Sequence, residues 1–149
     1  MKEHERSLEG RVGLLTGAGR RVGAVVARGL HQKGMDLLIH YNSSEEPARE
    51  LRDELCRLRD GSAEIVGAEL LDENAPEVIV GALESFGGRL DLLVNNASTF
   101  FPTKIGETSR EQWRSLLGVN LEAPYFLSQR VAPMLRETSG AIVNIADIY

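Results

Sequence analysis

Cysteine is nearly absent: Cys56 is the single thiol in 149 residues. One cysteine forms no internal disulfide, which fits a reducing compartment such as the cytoplasm. Nothing beside Cys56 marks a lowered thiol pKa, so thiol catalysis is not expected. Long apolar runs are missing too, and no stretch reaches the roughly 20 residues that span a bilayer. Met1–Gly10 is charged and polar, without the apolar core of a signal peptide. Positive charge is not in excess; the formal net charge is −5. That argues against a general binder of nucleic acid or anionic membrane, and an anionic ligand has to be met by a local group of positive charges. There is no repeat and no low-complexity tract. What is present is the composition of a soluble globular protein, 42% hydrophobic and 26% charged. The length suits one domain, residues 1–149, with a core of its own.

Short apolar segments alternate with helical periodicity. Val12–Leu15, Leu37–His40, Glu64–Ala68, Leu90–Val94 and Ala141–Ile145 read as strands. A helix is expected from Arg21 to Lys33, with Val22, Val25, Val26 and Leu30 on its apolar face and Gly34 ending it. Ser43 and Glu46 offer a capping box for a second helix, whose stripe is Ala48, Leu51, Leu55 and Leu58. Asn74 and Pro76 open a third, with Ile79, Ala82, Leu83 and Phe86 inward. Thr108 and Glu111 form another capping box before a long helix to about Arg136, in which Pro124 should make a kink. Nearly unbroken apolar strands alternating with helices define an α/β fold built on a doubly wound parallel sheet.

The most informative segment is Thr16-Gly17-Ala18-Gly19-Arg20-Arg21-Val22-Gly23, between the first strand and its helix. Gly17 permits a tight turn, and the missing side chains of Gly17 and Gly19 let a diphosphate reach the backbone. The helix that begins there directs free N–H groups and a positive dipole end at that diphosphate, and Val22 lies in its first turn. Gly23 allows close packing of the helix. A carboxylate at the end of the second strand would select NAD through the ribose 2′-hydroxyl. Here that place reads His40-Tyr41-Asn42-Ser43-Ser44, with no acid before Glu45. Hydroxyls, amides and the paired hydrogen bonds of Arg20 and Arg21 suit a 2′-phosphate, so NADPH is the expected cofactor. The alternative for both arginines is plain surface solvation.

The spacing of this segment resembles the Thr-Gly-x-x-x-Gly-x-Gly signature of the short-chain dehydrogenase/reductase family, with Arg21 in place of the middle glycine, a departure that pteridine reductases share. The resemblance implies a Rossmann-like fold, incomplete at the C-terminal side. Asn95-Asn96-Ala97-Ser98 is similar to the family's Asn-Asn-Ala-Gly, which steadies the sheet and lines the cofactor site at Asn96, Ala97 and Ser98. Ala68-Glu69-Leu70 falls where the family often has Ala-Asp-Leu beside adenine; Glu69 is an adenine acceptor or a simple solvated acid. Asn120 matches the helix asparagine that supports the active-site lysine through a water relay.

Four features resemble pteridine reductases: Arg21, the His40-Tyr41 pair, the segment Asn96–Thr103, and Asp147 where most members have a catalytic serine. The aromatic matching Phe100 stacks a pterin on the nicotinamide, while Phe101 reads as a loop anchor. An ionised aspartate only accepts hydrogen bonds, which helps deliver protons to a C=N group. The implied activity is hydride transfer from NADPH to a pterin or dihydrofolate-type substrate, with Asp147 and Asn120 on the catalytic side and no metal. Alternatives are a family member acting on a ketone or alcohol, or a non-catalytic nucleotide-binding module. The family's Tyr-x-x-x-Lys pair belongs past Tyr149, so the expectation is a piece of a longer protein that is inactive alone. Family habit implies a homo-oligomer, dimer or tetramer, joined through the long helix with Trp113.

Overall fold

The computed structural model describes residues 7–146. Five strands form one parallel sheet: β1 (Val12–Leu15), β2 (Asp36–Tyr41), β3 (Ala63–Gly67), β4 (Leu92–Asn95) and β5 (Ala141–Asn144), in the order β3-β2-β1-β4-β5. This is the doubly wound α/β arrangement that strand–helix alternation predicts. The strand order reverses between β1 and β4, which places the ligand crevice outside their carboxyl ends.

Each strand alternates its side chains between two helical layers. Leu14, Leu38 and Leu93 point to one face, covered by α3 (Ala75–Ser85) and α5 (Ala123–Thr138) through Ile79, Leu83, Leu127, Val131 and Leu135. Leu15, Leu37, Ile39 and Val94 point to the other, covered by α1 (Arg21–Gln32) and α2 (Glu45–Leu58) through Ala24, Ala27, Ala48, Leu51 and Leu55. Leu14, Leu15, Leu37, Leu38 and Ile39 are fully buried. β5 is exposed along its length. Among the described residues, no helix is long and apolar enough to cross a membrane.

Several helix details differ from expectation. The buried face of α1 is Gly23, Ala24, Ala27 and His31, with Val26 and Leu30 packed partly buried beside it as expected, whereas Val22 and Val25 are exposed. Small side chains let α1 lie close on the sheet, and that closeness, rather than bulk, chooses the face. Leu58 is likewise exposed at the end of α2, and Ala82 and Phe86 are only partly buried. No Ser43–Glu46 capping box forms; Ser44 is the N-cap of α2, without a side-chain cap bond. The later box sits one residue on from Thr108 and Glu111: Ser109 Oγ accepts from the Gln112 N–H, and Gln112 Oε1 accepts from the Ser109 N–H.

The expected single long helix is instead α4 (Arg110–Leu117), a π-helical turn over Gly118–Glu122, and α5. Proline has no N–H, so Pro124 cannot supply the bond that an α-helix would make to the Asn120 carbonyl. The widened turn absorbs the mismatch. Pro124 therefore opens α5, and the proline inside that helix is Pro133.

Candidate functional site

Every described residue expected at the site lies at or beyond the carboxyl ends of β1 to β4 or on the π-helical turn. The turn after β1 is built around Gly17, whose φ of +61° is left-handed. A Cβ there would stand 2.8 Å from the Ala97 Cα. A Cβ on Gly23 would be 2.6 Å from both the Ala18 Cα and the Asn96 Nδ2. So Gly23 lets α1 close on the turn and on an asparagine amide, rather than on the strand itself. Arg21 has φ +52°. An arginine thus holds the left-handed conformation that suits the family's glycine, at a cost of about 1–2 kcal/mol.

The second half of the site is fixed by hydroxyl and amide bonds. The Thr16 hydroxyl accepts from the N–H groups of Asn96 and Ala97, each at 3.0 Å. Asn96 Nδ2 donates to the carbonyls of Thr16 (2.9 Å) and Gly17 (3.1 Å). The segment after β4 is thereby stitched to the glycine turn. Below it, buried Asn95 donates through Nδ2 to Asn144 Oδ1 at 2.8 Å and to Ser128 Oγ at 3.2 Å, tying β4 to β5 and α5. Thr16, Asn144 and Ser128 were not read as site residues from the sequence; only the position of Thr16 beside the turn carried a signal.

The end of β2 divides its expected roles. His40 is buried and makes no surface that a phosphate could touch; its Nδ1 is 3.2 Å from the Gly17 N–H and its Nε2 is 2.9 Å from the Ala68 carbonyl. Burial pushes its pKa below the ordinary histidine value, against the raising influence of the Ala68 bond and of Glu69. Tyr41 packs over Gly67, where a Cβ would come within 2.8 Å of the phenol oxygen. Asn42 Nδ2 donates to Glu69 Oε2 at 2.7 Å, and Glu69 Oε1 accepts from the Leu71 N–H. Glu69 therefore braces the loop after β3, while Leu70 packs against the core on the α3 and α5 side. Ser43 is exposed, and Ser44 Oγ accepts from Arg20 Nη2. Arg20 and Ser44 thus meet beside the turn, with Arg21 exposed next to them.

The residues present fit a dinucleotide. The Ser44 hydroxyl and the guanidinium groups could hold a phosphate on the adenosine ribose. Arg20 gives α1 no side-chain cap bond, and among the described residues no acceptor meets the N–H groups of Arg21, Val22 and Gly23. Those donors sit at the N-terminal end of α1. The missing side chains of Gly17 and Gly19 make room for Ala97 and for Ala48, rather than for the diphosphate expected from the sequence.

On the substrate side, Ser98 is exposed and Phe100 is 87% exposed, whereas Phe101 is half-buried, as a loop anchor is. Asn120 pairs with the backbone of Thr99 through both ends of its amide. Its side chain therefore holds the Phe100 segment against the π-helical turn. Asp147 lies outside the described residues, as does Tyr149. Among the described residues, no group of histidine, cysteine and carboxylate side chains could hold a metal.

A parallel sheet in this order, with a glycine turn and an asparagine-stitched crevice at the switch point, defines a Rossmann-like α/β protein. The model of the short chain dehydrogenase family matches residues 11–148, and the chain belongs to that family. It is 34% identical over 140 residues to an uncharacterized oxidoreductase of Thermotoga maritima, covering 93% of this chain and 54% of the relative. To a hydroxynaphthalene reductase-like protein, Arp2, of Metarhizium anisopliae it is 33% identical over 147 residues, 99% of this chain and 54% of the relative. The chain thus spans about half the length of these curated relatives. Among solved structures, a metagenomic short-chain oxidoreductase in complex with NADP superposes with a TM-score of 0.86 at 32% identity, covering 95% of this chain and 64% of that one. A short-chain dehydrogenase/reductase mutant of Serratia marcescens gives a TM-score of 0.87 at 26% identity, over 94% and 56% of the two chains.

Proposed function

We propose that the whole protein is an NADPH-dependent reductase that delivers hydride to a C=N bond of a pterin or dihydrofolate-type substrate. The carrying observation is the 87% exposed ring of Phe100, on a segment pinned by Asn96 to the glycine turn and by Asn120 to the helix. An exposed aromatic face on a backbone segment held at Asn96 and Thr99 suits a planar heteroaromatic ring. The choice of NADPH is supported by Arg20, Arg21 and Ser44 at a β2 end that carries no acid before Glu45.

The cofactor supplies the hydride. The chain's own part is to hold phosphates on the amides of Arg21, Val22 and Gly23, to present Phe100 to the substrate face, and to keep Asn120 in place. Because the Asn120 side chain is engaged by Thr99, any water relay at this residue runs through its backbone carbonyl, which Pro124 leaves without an α-helical donor. Asp147, as an acceptor, would orient a proton source toward the ring nitrogen.

A second reading is a flat aromatic ketone as substrate, favoured by the likeness to hydroxynaphthalene reductase-like proteins. Phe100 would stack on a fused carbocycle equally well; Asp147 instead of a hydroxyl donor speaks for the C=N substrate. Oligomer formation belongs to the same proposal: exposed Trp113, Leu121 and Tyr125 supply an apolar surface on α4, the π-helical turn and α5.

The test is steady-state turnover of NADPH with dihydrobiopterin, dihydrofolate and a hydroxynaphthalene ketone, on the parent and on Phe100→Ala. Turnover of the pterins, lost in the variant while NADPH affinity persists, is the expected result. Turnover of the ketone alone would transfer the assignment to the second reading, and equal rates in variant and parent would remove Phe100 from the site.

A further inference from the structure

The ring of His40 has a partner of fixed chemical role at each nitrogen. A backbone N–H can only donate and a backbone carbonyl can only accept. The Gly17 N–H therefore requires a lone pair on Nδ1 (3.2 Å), and the Ala68 carbonyl requires a proton on Nε2 (2.9 Å). These two contacts select the neutral, Nε2-protonated tautomer and exclude the cation. The His40 carbonyl accepts in addition from the Ala18 N–H at 3.2 Å. Main chain and side chain of one residue thus carry the first two amides of the glycine turn. Gly17 and Ala18 are occupied, and the amides of Arg21, Val22 and Gly23 stay free for a ligand.

We propose that His40 is a positioning residue whose neutral ring holds the glycine turn in its diphosphate-binding shape, so that protonation of Nδ1 releases the turn and weakens the grip on the dinucleotide. This rests on the reading that the turn holds a nicotinamide dinucleotide and is independent of the substrate. Protonation would set an imidazolium N–H against the Gly17 N–H, with no acceptor between them. Gly17 sits at φ +61°, one of several conformations open to glycine, so the bond at its amide is among the contacts that select it. Losing the bond at its amide frees the hinge of the turn.

The charges around the ring do not stabilise the cation enough to cancel its burial. Glu69, beyond β3, favours the charged form, but its carboxylate is shared with Asn42 and the Leu71 N–H. β1 carries no ionisable residue. On β3, Glu64 pairs with Arg52. On β2 itself, Asp36 pairs with Arg59 at the opposite end of the strand, and Tyr41 covers Gly67. The turn contributes Arg20, bonded to Ser44, and Arg21, both of which disfavour a second positive charge. On α3, Glu77 is bound by Arg130. Burial dominates, and the ring titrates below an ordinary histidine.

The experiment has two arms on the protein carrying the full chain. In the unliganded protein, nitrogen NMR of the His40 ring and of the Gly17 amide is followed as pH falls from about 8 to 5. An unprotonated Nδ1 is expected at neutral pH, with the Gly17 amide shifting in step with ring titration. NADP+ affinity is then measured by calorimetry over the same range for the parent and for His40→Asn. The asparagine oxygen can accept from Gly17 near the Nδ1 position and does not titrate. The parent should lose about tenfold more affinity than the variant on acidification. Titration of the ligand's own 2′-phosphate is common to both proteins and cancels in the comparison. A Gly17 amide indifferent to His40 titration, or identical pH profiles for parent and variant, would overturn the proposal. Absence of NADP+ binding at every pH would instead defeat the cofactor reading, leaving the NMR arm to decide the role of His40.

Discussion

The side-chain amide of Asn120 closes on both backbone polar groups of Thr99: Nδ2 donates to the Thr99 carbonyl at 2.8 Å, and Oδ1 accepts from the Thr99 N–H at 3.1 Å. One asparagine on a π-helical turn thus does for the Phe100 segment what a neighbouring strand would do. On the other side Asn96 clamps the same segment to the glycine turn. Replacing Asn120 by leucine should cut the first clamp and spare the second. The expected outcome is a rise in KM and a fall in kcat for the flat substrate, with NADP+ affinity within about twofold of the parent and a stability loss of about 1–2 kcal/mol. Steady-state kinetics with cofactor titration and urea unfolding measure all of these. Loss of cofactor binding in the variant would show that the two clamps are not separable.

Gly23→Ala should abolish dinucleotide binding without unfolding the domain. The new methyl would lie 2.6 Å from the Ala18 Cα and from the Asn96 Nδ2, so both the turn and the amide that stitches it to β4 have to move. Backbone cannot yield as the end of a flexible side chain can. Alanine also favours the helix over glycine by about 1 kcal/mol, which offsets part of the strain. Calorimetric titration with NADP+ beside circular dichroism checks this. Parent-like affinity would mean that α1 can slide on the sheet.

Arg21→Gly separates backbone shape from charge. Glycine takes φ +52° without the clash that arginine bears there, so the turn keeps its conformation. What disappears is the exposed guanidinium of the residue that follows Arg20, which is itself bonded to Ser44. A charge-assisted hydrogen bond is worth about 1.5–3 kcal/mol, so NADP+ affinity should fall by roughly tenfold to a hundredfold. NAD+ affinity, which involves no 2′-phosphate, should stay the same. An equal loss for both dinucleotides would place Arg21 at the diphosphate or in the fold itself.

These outcomes bear on how far the sequence alone reaches. The five strands and the glycine turn were legible because short, nearly unbroken apolar runs and a Gly-rich strand-to-helix junction are local patterns. The inward face of α1 was legible only in part: Val26 and Leu30 do pack on the core, but Val22 and Val25 are exposed, because the close approach is made by the smaller Gly23, Ala24 and Ala27. His40 was read with the phosphate-binding loop because it borders Tyr41; its bonds to Gly17 and Ala68 join residues far apart in sequence. The π-helical turn had a local sign in Pro124, but whether a proline bends, widens or begins a helix depends on what packs nearby. Here Leu71 packs against Gly118, at the first residue of the widened turn.

Asp91→Ala should be among the most destabilising single changes away from the crevice. Its Oδ2 accepts from the Val12 N–H at 2.9 Å and from Arg89 Nε at 2.7 Å, and the carboxylate is almost wholly buried. Burial alone would push its pKa up, but the Arg89 and Val12 hydrogen bonds and the charges of Arg89 and Arg11 outweigh that and hold it below the usual value. Removing the carboxylate leaves the N–H that opens β1 without its partner, for an expected loss of about 2–4 kcal/mol in urea unfolding. A loss below about 0.5 kcal/mol would mean that water replaces the carboxylate at no cost.

The same reasoning predicts the mildly acidic limb of the stability curve from His31. The ring is 3% exposed, with Nε2 2.7 Å from Ser62 Oγ. Ser62 spends its own proton on the Arg59 carbonyl, so Nε2 must donate to the hydroxyl oxygen. Burial lowers the His31 pKa, the Arg59 charge lowers it further, and Asp36 opposes both. The folded state therefore prefers the neutral ring, while the unfolded chain takes up a proton near about pH 6.5. Below that point the unfolded state binds more protons, so stability is full above about pH 6.5 and declines as pH falls toward the lower folded-state value. His40, depressed in the same direction, contributes a limb of the same sign. Each group can contribute a slope of at most about 1.4 kcal/mol per pH unit. Urea midpoints measured from neutral to mildly acidic pH for the parent and for His31→Gln should diverge, the parent falling more steeply. Parallel curves would mean that the His31 ring is solvated on protonation without cost to the fold.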